Sequence, residues 1–304
     1  MTSSSAPAIL CTGIAVQDIL FRVERFPPPG GKTMTHDFMT VCGGCAVNAA
    51  IAVARLGGRT SYCGPLGDEN DSASRQVIGA LQAEGIDTSG IVRVAGAAIP
   101  VSAIMSDAAG ERIIVTYRDR RIEAAHAADP DVLVAGISLL LADNRFPDFV
   151  RPICEAAKRR NIPIVLDADR PTTPDDPLFG IPTHVVFSSE CLRATTGEHE
   201  LGAALKSMEP RTRAFLAVSD GPNPVRYIRD GALQSMPVFS VAATDTLAAG
   251  DVFHGGFALA LAEGRNEETA LRFGAAAAAL KCTRFGGSMG APERADVERF
   301  LQSA

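Results

Sequence analysis

Short apolar segments alternate with helical segments along most of this 304-residue chain, and this order constrains the fold more than any other feature. Six segments have the length and apolar content of buried strands: 8–13, 61–64, 132–138, 164–167, 184–187 and 215–219. Helical periodicity occurs at 48–56, 72–84, 147–160, 201–208, 251–263, 267–284 and 293–301. The alternation predicts an α/β fold, a mostly parallel sheet in a three-layer α/β/α arrangement. A late strand pair, 227–228 and 233–238, predicts an antiparallel addition.

Two early pairs of strand-like segments do not fit this alternation. One pair, 19–23 and 32–40, lies within residues 14–42, and the other, 101–106 and 111–117, lies within 98–120 and turns at 107–110. We expect these hairpins to join into a small β-sheet that forms a lid on a single α/β domain, residues 1–304. Pairing with a second subunit would cover the exposed edges of such a lid, so a homodimer through the lid is a hypothesis.

The charge distribution and the N-terminus exclude some classes of protein. The net charge is −6, the sequence pI is about 5.4, and basic residues are scattered apart from a short patch at 118–121. Nucleic-acid binding needs a concentrated basic surface, so we expect no nucleic-acid partner. The first seven residues do not form a signal peptide, and no run of 18 apolar residues occurs. We therefore expect a cytoplasmic protein with no membrane partner.

The seven cysteines are an odd number spread over a long chain, several of them among apolar neighbours. Cys42 and Cys45 form a CxxC pair, but no second pair or histidine cluster lies nearby to complete a zinc site. We expect reduced, structural thiols.

The segment 243–256, ATDTLAAGDVFHGG, carries the strongest chemical signal. Three small residues, Ala248, Ala249 and Gly250, lead into a helix with Asp251 at its start. Free N–H groups at a helix N-terminus bind phosphate, and small side chains let the phosphate approach closely. A carboxylate in that turn could take the proton from a hydroxyl that attacks the transferring phosphoryl group. The alternative is that Asp251 only caps the helix.

Two signatures together resemble those of the ribokinase-like (PfkB) carbohydrate kinases. The segment 243–256 resembles the DTxGAGD signature, and GGCAVN at 43–48, ARLG at 54–57 and GPLGDE at 64–69 resemble the N-terminal pattern. The resemblance implies an ATP-dependent sugar kinase with Asp251 as general base. It also implies that the N–H groups of Ala249, Gly250 and Asp251 form the anion hole. Ala248 stands where glycine is commonest, a change that we expect to preserve the hole.

The same resemblance implies the residues of the sugar pocket. They are Asp18, Gly43, Gly44 and Asn48. Carboxylate and amide groups there would bind sugar hydroxyls. Alternatively, the two glycines only form a turn and Asn48 only caps a helix.

ATP is implied to lie over the C-terminal part of the chain. It would be flanked by Ser219, Gly221 and the alanine-rich helix segment 275–279, with Ala275 and Ala278 leaving room for adenine. An alanine-rich helix face is otherwise simply tight packing. Mg²⁺ is implied with ATP, but the family's NxxE motif is replaced by SSEC at 188–191, so the metal ligands are unknown. Asp245 and the loop 283–287 fall where some family members bind a monovalent cation.

Several runs resemble sulfofructose kinases more closely than ribokinases, among them GERIIV at 110–115, LAD at 141–143 and ALKCTR at 279–284. Lys32 and Arg145 match the lysine and arginine that hold the sulfonate in those enzymes, whereas Thr116 stands where an asparagine is expected. Two converging cations favour an anionic tail, although both residues could equally be surface charges. The hypothesis is a kinase for a hydroxymethyl group of a ketose such as 6-deoxy-6-sulfofructose. The alternatives are a kinase for a neutral sugar such as fructose or ribose, and a non-catalytic sugar or nucleotide sensor on the same scaffold.

Overall fold

The computed structural model describes residues 6–35, 37–107 and 112–303. In chain order the strands are β1 (Ala8–Thr12), β2 (Val16–Arg22), β3 (Asp37–Gly43), β4 (Arg59–Cys63), β5 (Pro65–Leu66), β6 (Val92–Arg93), β7 (Val101–Ser106), β8 (Arg112–Tyr117), β9 (Leu139–Asp143), β10 (Ile164–Ala168), β11 (His184–Ser188), β12 (Phe215–Asp220), β13 (Asn223–Arg229) and β14 (Ala232–Met236). The α-helices are α1 (Cys45–Arg55), α2 (Ser72–Ala83), α3 (Pro130–Leu133), α4 (Pro147–Arg159), α5 (Ser189–Thr196), α6 (Leu201–Met208), α7 (Ala249–Ala262), α8 (Glu267–Cys282) and α9 (Arg294–Ser303). The sequence predicts all of these helices except α3 and α5.

Eight strands form the main sheet, in the order β14-β13-β12-β11-β10-β9-β1-β4. The six strands from β12 to β4 run parallel, and β13 and β14 are antiparallel additions. The central strands β9 and β10 are buried along their whole length, which requires cover on both faces of the sheet. The predicted α/β fold with a mostly parallel sheet is confirmed. No helix in the described part of the chain is long and apolar enough to cross a membrane.

The strand predicted at 132–138 is wrong. That segment begins inside the short helix α3, which has Pro130 at its start. The Asp129 carboxylate caps this helix by accepting hydrogen bonds from the N–H groups of Asp131 and Val132. The strand is instead β9, the next apolar run along the chain, because all five of its residues are buried.

A second sheet, which we call the lid sheet, contains four strands in the order β3-β2-β7-β8. β2 pairs antiparallel with β3, β7 pairs antiparallel with β8, and β2 and β7 join the two hairpins in parallel. The predicted joining of the hairpins is therefore confirmed. β3 begins at Asp37 rather than near position 32, because residues 31–35 form a loop. Of the predicted turn at 107–110, residues 108–110 lie outside the described residues.

Glycines allow helix α7 to pack closely between α1 and α8. A Cβ on Gly255 of α7 would lie 2.8 Å from the main-chain oxygen of Ala49 on α1. A Cβ on Gly274 of α8 would lie 2.6 Å from the main-chain oxygen of Phe253 on α7. No room exists for a side chain at either position. The close packing fixes the first turn of α7 relative to α1, and both helices contribute to the site described next.

Candidate active site

Polar side chains from distant parts of the chain meet where strands β9 and β10 end. Asn48 of α1 contacts Asp251 of α7, although the two residues are 203 positions apart. Arg145, which follows β9, pairs with Asp169, which follows β10. In open α/β sheets, ligands bind outside the carboxyl ends of the strands, so this is the place where a binding site is expected.

The first turn of α7 presents free backbone N–H groups. Ala248 precedes the helix in the left-handed conformation, with φ of 62°. The Ala249 N–H donates a long 3.3 Å hydrogen bond to the Thr246 carbonyl. The N–H groups of Gly250 and Asp251 have no acceptor among the described residues, and a Cβ at Gly250 would meet nothing within 4 Å. The positive end of the helix therefore faces open space with two unpaired amides, an arrangement suited to an anion.

Asp251 is held beside these amides by Asn48. The Asn48 Nδ2 donates a 2.7 Å hydrogen bond to Asp251 Oδ2. The Asn48 Oδ1 is buried and has no hydrogen-bond partner among the described residues, so it is an acceptor available to a ligand hydroxyl. Burial raises the pKa of Asp251 to about 7, against the opposing effect of the hydrogen bond from Asn48. A carboxyl group with such a pKa can accept a proton near neutral pH.

A second carboxylate, Asp167 at the end of β10, lies next to Asp251. Oxygen atoms of the two carboxylates and the Cys45 sulfur all lie within 4.8 Å of one another. Burial, with the nearby charges of Asp169 and Asp251, raises the pKa of Asp167 well above its ordinary value. Two close carboxylates resist simultaneous ionisation, and the fuller burial of Asp167 favours the proton on that residue. Asp251 is then the member of the pair available as a base.

His254 lies behind the same turn of α7. Its Nδ1 is 2.7 Å from the Gly250 main-chain oxygen and 3.5 Å from Asp167 Oδ2. Burial lowers the pKa of His254, so the imidazole is neutral. No site role is predicted from the sequence for Asp167 or His254. The available signals were the position of Asp167 at the end of a predicted strand and that of His254 one helical turn after Gly250.

The proposed sugar residues of the lid sheet lie together. Asp18 of β2 is buried, and a Cβ on Gly43 would overlap its carboxylate. Burial raises the pKa of Asp18 to about 6, opposed by a hydrogen bond from Ser102. Ser102 Oγ in turn lies 3.0 Å from Thr116 Oγ1, so one side chain from each of β2, β7 and β8 forms a polar row. Thr116 belongs to this row although it is not the expected asparagine.

Gly44 and Asp143 fix the start of α1. Gly44 caps the helix with φ of 95°, a conformation that favours glycine. The buried Asp143 carboxylate accepts hydrogen bonds from the N–H groups of Ile14, Ala46 and Arg145. These three donors are backbone N–H groups of different loops and of α1, so Asp143 organises the chain around the site.

The two predicted cations differ in their surroundings. Arg145 is paired with Asp169, and its Nε is buried with no hydrogen-bond partner among the described residues. Its main-chain oxygen accepts a 3.2 Å hydrogen bond from Arg118 Nη2, so a second guanidinium lies close by. Lys32 is exposed in the loop before β3 and has no hydrogen bond or ion pair with any residue that the structure describes. Arg145 is thus the better placed of the two.

Two of the residues predicted to flank ATP lie at the end of β12, and the other two lie on α8. Ser219 pairs in register with Ser188 of β11, and Gly221 forms the left-handed turn that follows β12. On α8, Ala275 is buried and Ala278 is half-buried. Of these two alanines, only Ala278 keeps an accessible surface that adenine could contact.

Two residues of the segment 188–191, where metal ligands are expected by resemblance, are engaged in the structure of helix α5. Ser188 Oγ accepts the hydrogen bond that caps helix α5, from the Cys191 N–H. The Cys191 thiol is buried, 3.8 Å from Thr195 Oγ1. The carboxylate and thiol group of Asp167, Asp251 and Cys45 is also a poor match for Mg²⁺, which prefers oxygen ligands only.

Comparison with known proteins gives consistent matches over nearly the whole chain. The sequence model of the family described as "pfkB family carbohydrate kinase" matches residues 6–294. The ribokinase of Bacillus subtilis (strain 168) is 28% identical over 301 residues, covering 96% of this chain and 99% of that protein. The crystal structure of a candidate ribokinase from Agrobacterium tumefaciens is 36% identical, with a TM-score of 0.93 and 98% coverage of both chains. The crystal structure of fructokinase with bound ATP from Xylella fastidiosa is 26% identical, with a TM-score of 0.76, covering 97% of this chain and 98% of that one.

Proposed function

Because the chain belongs to the pfkB family of carbohydrate kinases, we propose that it transfers the γ-phosphate of ATP to a hydroxymethyl group of a sugar. The observation that carries the proposal is the contact of Asp251 with Asn48 beside the free amides of α7. The base and the anion site lie in the first turn of α7, and the amide that would bind the sugar contacts the base from α1.

The base, the amide of Asn48 and the anion site each have a separate role in the proposed reaction. The ionised Asp251 carboxylate takes the proton of the sugar hydroxyl, whose oxygen then attacks the γ-phosphorus. The bond between that phosphorus and the bridging oxygen of ADP breaks, and ADP carries away the electron pair. The N–H groups of Gly250 and Asp251, at the positive end of α7, stabilise the charge on the transferring phosphoryl group. The sugar is oriented by the free Asn48 Oδ1, the buried Asp18 and the main chain at Gly43 and Gly44.

Mg²⁺ accompanies ATP in this proposal without a dedicated protein ligand set. The ion keeps several waters and binds phosphate oxygens in kinase sites, so the triphosphate itself can carry it. The Cys45 thiol suits Mg²⁺ poorly, and the Ser188 hydroxyl already caps helix α5, so neither group is a complete set of oxygen ligands. Ser219, Gly221 and Ala278 are the proposed contacts for the rest of the nucleotide, with Ala275 as packing beneath it.

We propose that the sugar carries an anionic tail, as in 6-deoxy-6-sulfofructose. The support is the pair of nearby guanidiniums at Arg145 and Arg118, which form ion pairs with Asp169 and Glu123, while the buried Asp143 lies near both. The unpaired, buried Arg145 Nε gives a donor for a sulfonate or carboxylate oxygen. The Lys32 ammonium would contact the anionic tail of the sugar only if the loop 31–35 folds over the site.

The Arg145→Met variant tests whether the acceptor sugar carries an anionic tail. For the wild type we expect kcat/KM for 6-deoxy-6-sulfofructose to exceed that for fructose by about 10- to 100-fold, because a hydrogen bond to a charged group contributes about 1.5–3 kcal/mol. The variant should lose this preference and keep its activity on fructose. ADP release with both sugars measures this preference, and Arg159→Met, at an exposed arginine in the last turn of α4, is the control. Equal rates on both sugars, unchanged by Arg145→Met, would leave a neutral fructose or ribose as the acceptor.

We further propose a homodimer formed through the lid sheet. Its support is a set of exposed apolar side chains on or beside the edge strands: Met34, Phe38, Ile113, Ile114, Val115 and Tyr117. Exposed apolar edges of this kind are usually covered in solution. A mass near twice that of the chain is expected from light scattering at micromolar concentration, and a monomeric mass would exclude the dimer.

A further inference from the structure

Lys281, in the last turn of α8, is completely buried. A buried ammonium must be paired, because an uncompensated charge in the interior is too costly. Its Nζ lies 2.9 Å from Asp245 Oδ2 and donates a 2.7 Å hydrogen bond to the main-chain oxygen of the same residue. The ammonium therefore makes two interactions with one residue, Asp245: an ion pair with its carboxylate and a hydrogen bond to its main-chain oxygen.

Asp245 connects the chain before α7 to two other segments. Its Oδ1 accepts a hydrogen bond from the Leu247 N–H at 2.9 Å, and its Oδ2 accepts from the N–H groups of Gly286 and Gly287 at 3.1 Å. The N–H groups of Thr244 and Asp245 donate to the Cys282 carbonyl at 2.7 and 3.0 Å. The ion pair between Lys281 and Asp245 thus connects three segments of the chain: the end of α8, the loop at 286–287 and the segment 244–247.

Ala248 lies three residues after Asp245, has the left-handed conformation and immediately precedes α7. Alanine rarely adopts this conformation, so the surrounding contacts must maintain it. The amides of Gly250 and Asp251 follow directly. Whatever fixes the segment 244–247 consequently fixes the direction in which these amides point.

We propose that Lys281 is a positioning residue, whose ammonium holds the segment 244–248 and thereby the N–H groups of the anion hole in place. Because this charge is part of the chain, no dissociable monovalent cation is needed at Asp245. It supplies from within the chain the positive charge that the buried Asp245 carboxylate requires. It touches neither phosphate nor sugar, so it acts only through the backbone of 244–248. This inference rests on the proposed kinase activity, because the anion hole has a measurable role only if phosphate is transferred.

The wild type tests the proposal without any mutation. ADP release, with whichever of the two sugars proposed above is phosphorylated faster, is measured in KCl, in NaCl and in tetramethylammonium chloride at equal ionic strength. We expect kcat to agree within about twofold in all three salts, since the ammonium is already in place. Activation by KCl well beyond this range would overturn the proposal. If no sugar at all is phosphorylated, the proposed function fails instead, so the two failures are distinct.

Lys281→Met removes the charge and keeps most of the side-chain volume. We expect kcat to fall about 100-fold, the effect of a small misplacement of catalytic groups, while KM for the sugar stays within about threefold. In Lys281→Ala, propylamine should restore part of kcat, a rescue that a purely packing role would not produce. Lys158→Met is the control, because that ammonium also donates to a main-chain oxygen, of Gly180, but is exposed. A Lys281→Met enzyme with wild-type kcat would overturn the proposal; if this variant does not fold, the salt comparison decides.

Discussion

Replacing Asp251 with asparagine is expected to lower kcat by about 1,000-fold, within the range of about 10²–10⁴ that general base catalysis contributes. The amide cannot accept the hydroxyl proton, but it has nearly the shape of the carboxylate. Asn48 Nδ2 can still donate to its oxygen, so the contact between α1 and α7 is kept. Stability should not fall, because a buried carboxylate with a pKa raised to about 7 is replaced by a neutral group.

The matched control is Asp148→Asn, the same change at an exposed position in the first turn of α4. Its kcat and melting temperature should equal those of the wild type. ADP release and thermal unfolding of both variants separate loss of chemistry from loss of structure. A wild-type kcat in Asp251→Asn would remove the base from the mechanism, and no measurable turnover in the wild type would favour the non-catalytic sensor.

The second large effect is expected from leucine at Gly250. The space beside this residue is open, so Gly250→Leu should fold, but its side chain would occupy the place of the phosphate. We expect kcat/KM for ATP to fall by about 100- to 1,000-fold, comparable to losing a donor that stabilises charge in a transition state. ADP-release kinetics with ATP as the varied substrate measures this.

Two other glycines serve as controls for Gly250→Leu. Gly79→Leu, at an exposed site of α2 with no atom near its Cβ position, should leave activity and stability unchanged. Gly255→Leu should prevent folding, because even a Cβ there would lie 2.8 Å from the Ala49 oxygen. An active Gly250→Leu enzyme with unchanged kcat/KM for ATP would mean that the phosphate binds elsewhere.

The sequence predicts the parts of this molecule that are encoded locally. Alternation of strands and helices specifies the parallel sheet, and the small residues before Asp251 specify a helix N-terminus with room beside it. The one wrong strand, at 132–138, follows from two adjacent apolar runs. The Asp129-Pro130 helix start was the signal that should have assigned the first run to α3 and the second to β9.

Contacts between distant residues could not be predicted in the same way. Asn48 and Asp251 were each expected in the site by resemblance, but their direct hydrogen bond depends on how α1 packs on α7. A lysine in the regular pattern of 267–284 is normally placed on the exposed face, and only the tertiary structure shows Lys281 buried against Asp245. Likewise, burial of Cys191 follows from the packing of α5 and not from the spacing of 188–191.

The pH dependence of kcat/KM tests the central claim most directly, namely that an ionised Asp251 beside the α7 amides is the base. Because burial raises the pKa of this carboxyl to about 7, activity should be lost as pH falls through about 7, with a slope of one proton. The residual activity of Asp251→Asn should lack this limb, while any titration of ATP itself remains common to both proteins. A wild-type profile that stays flat down to pH of about 5, or the same limb in both proteins, would contradict the account.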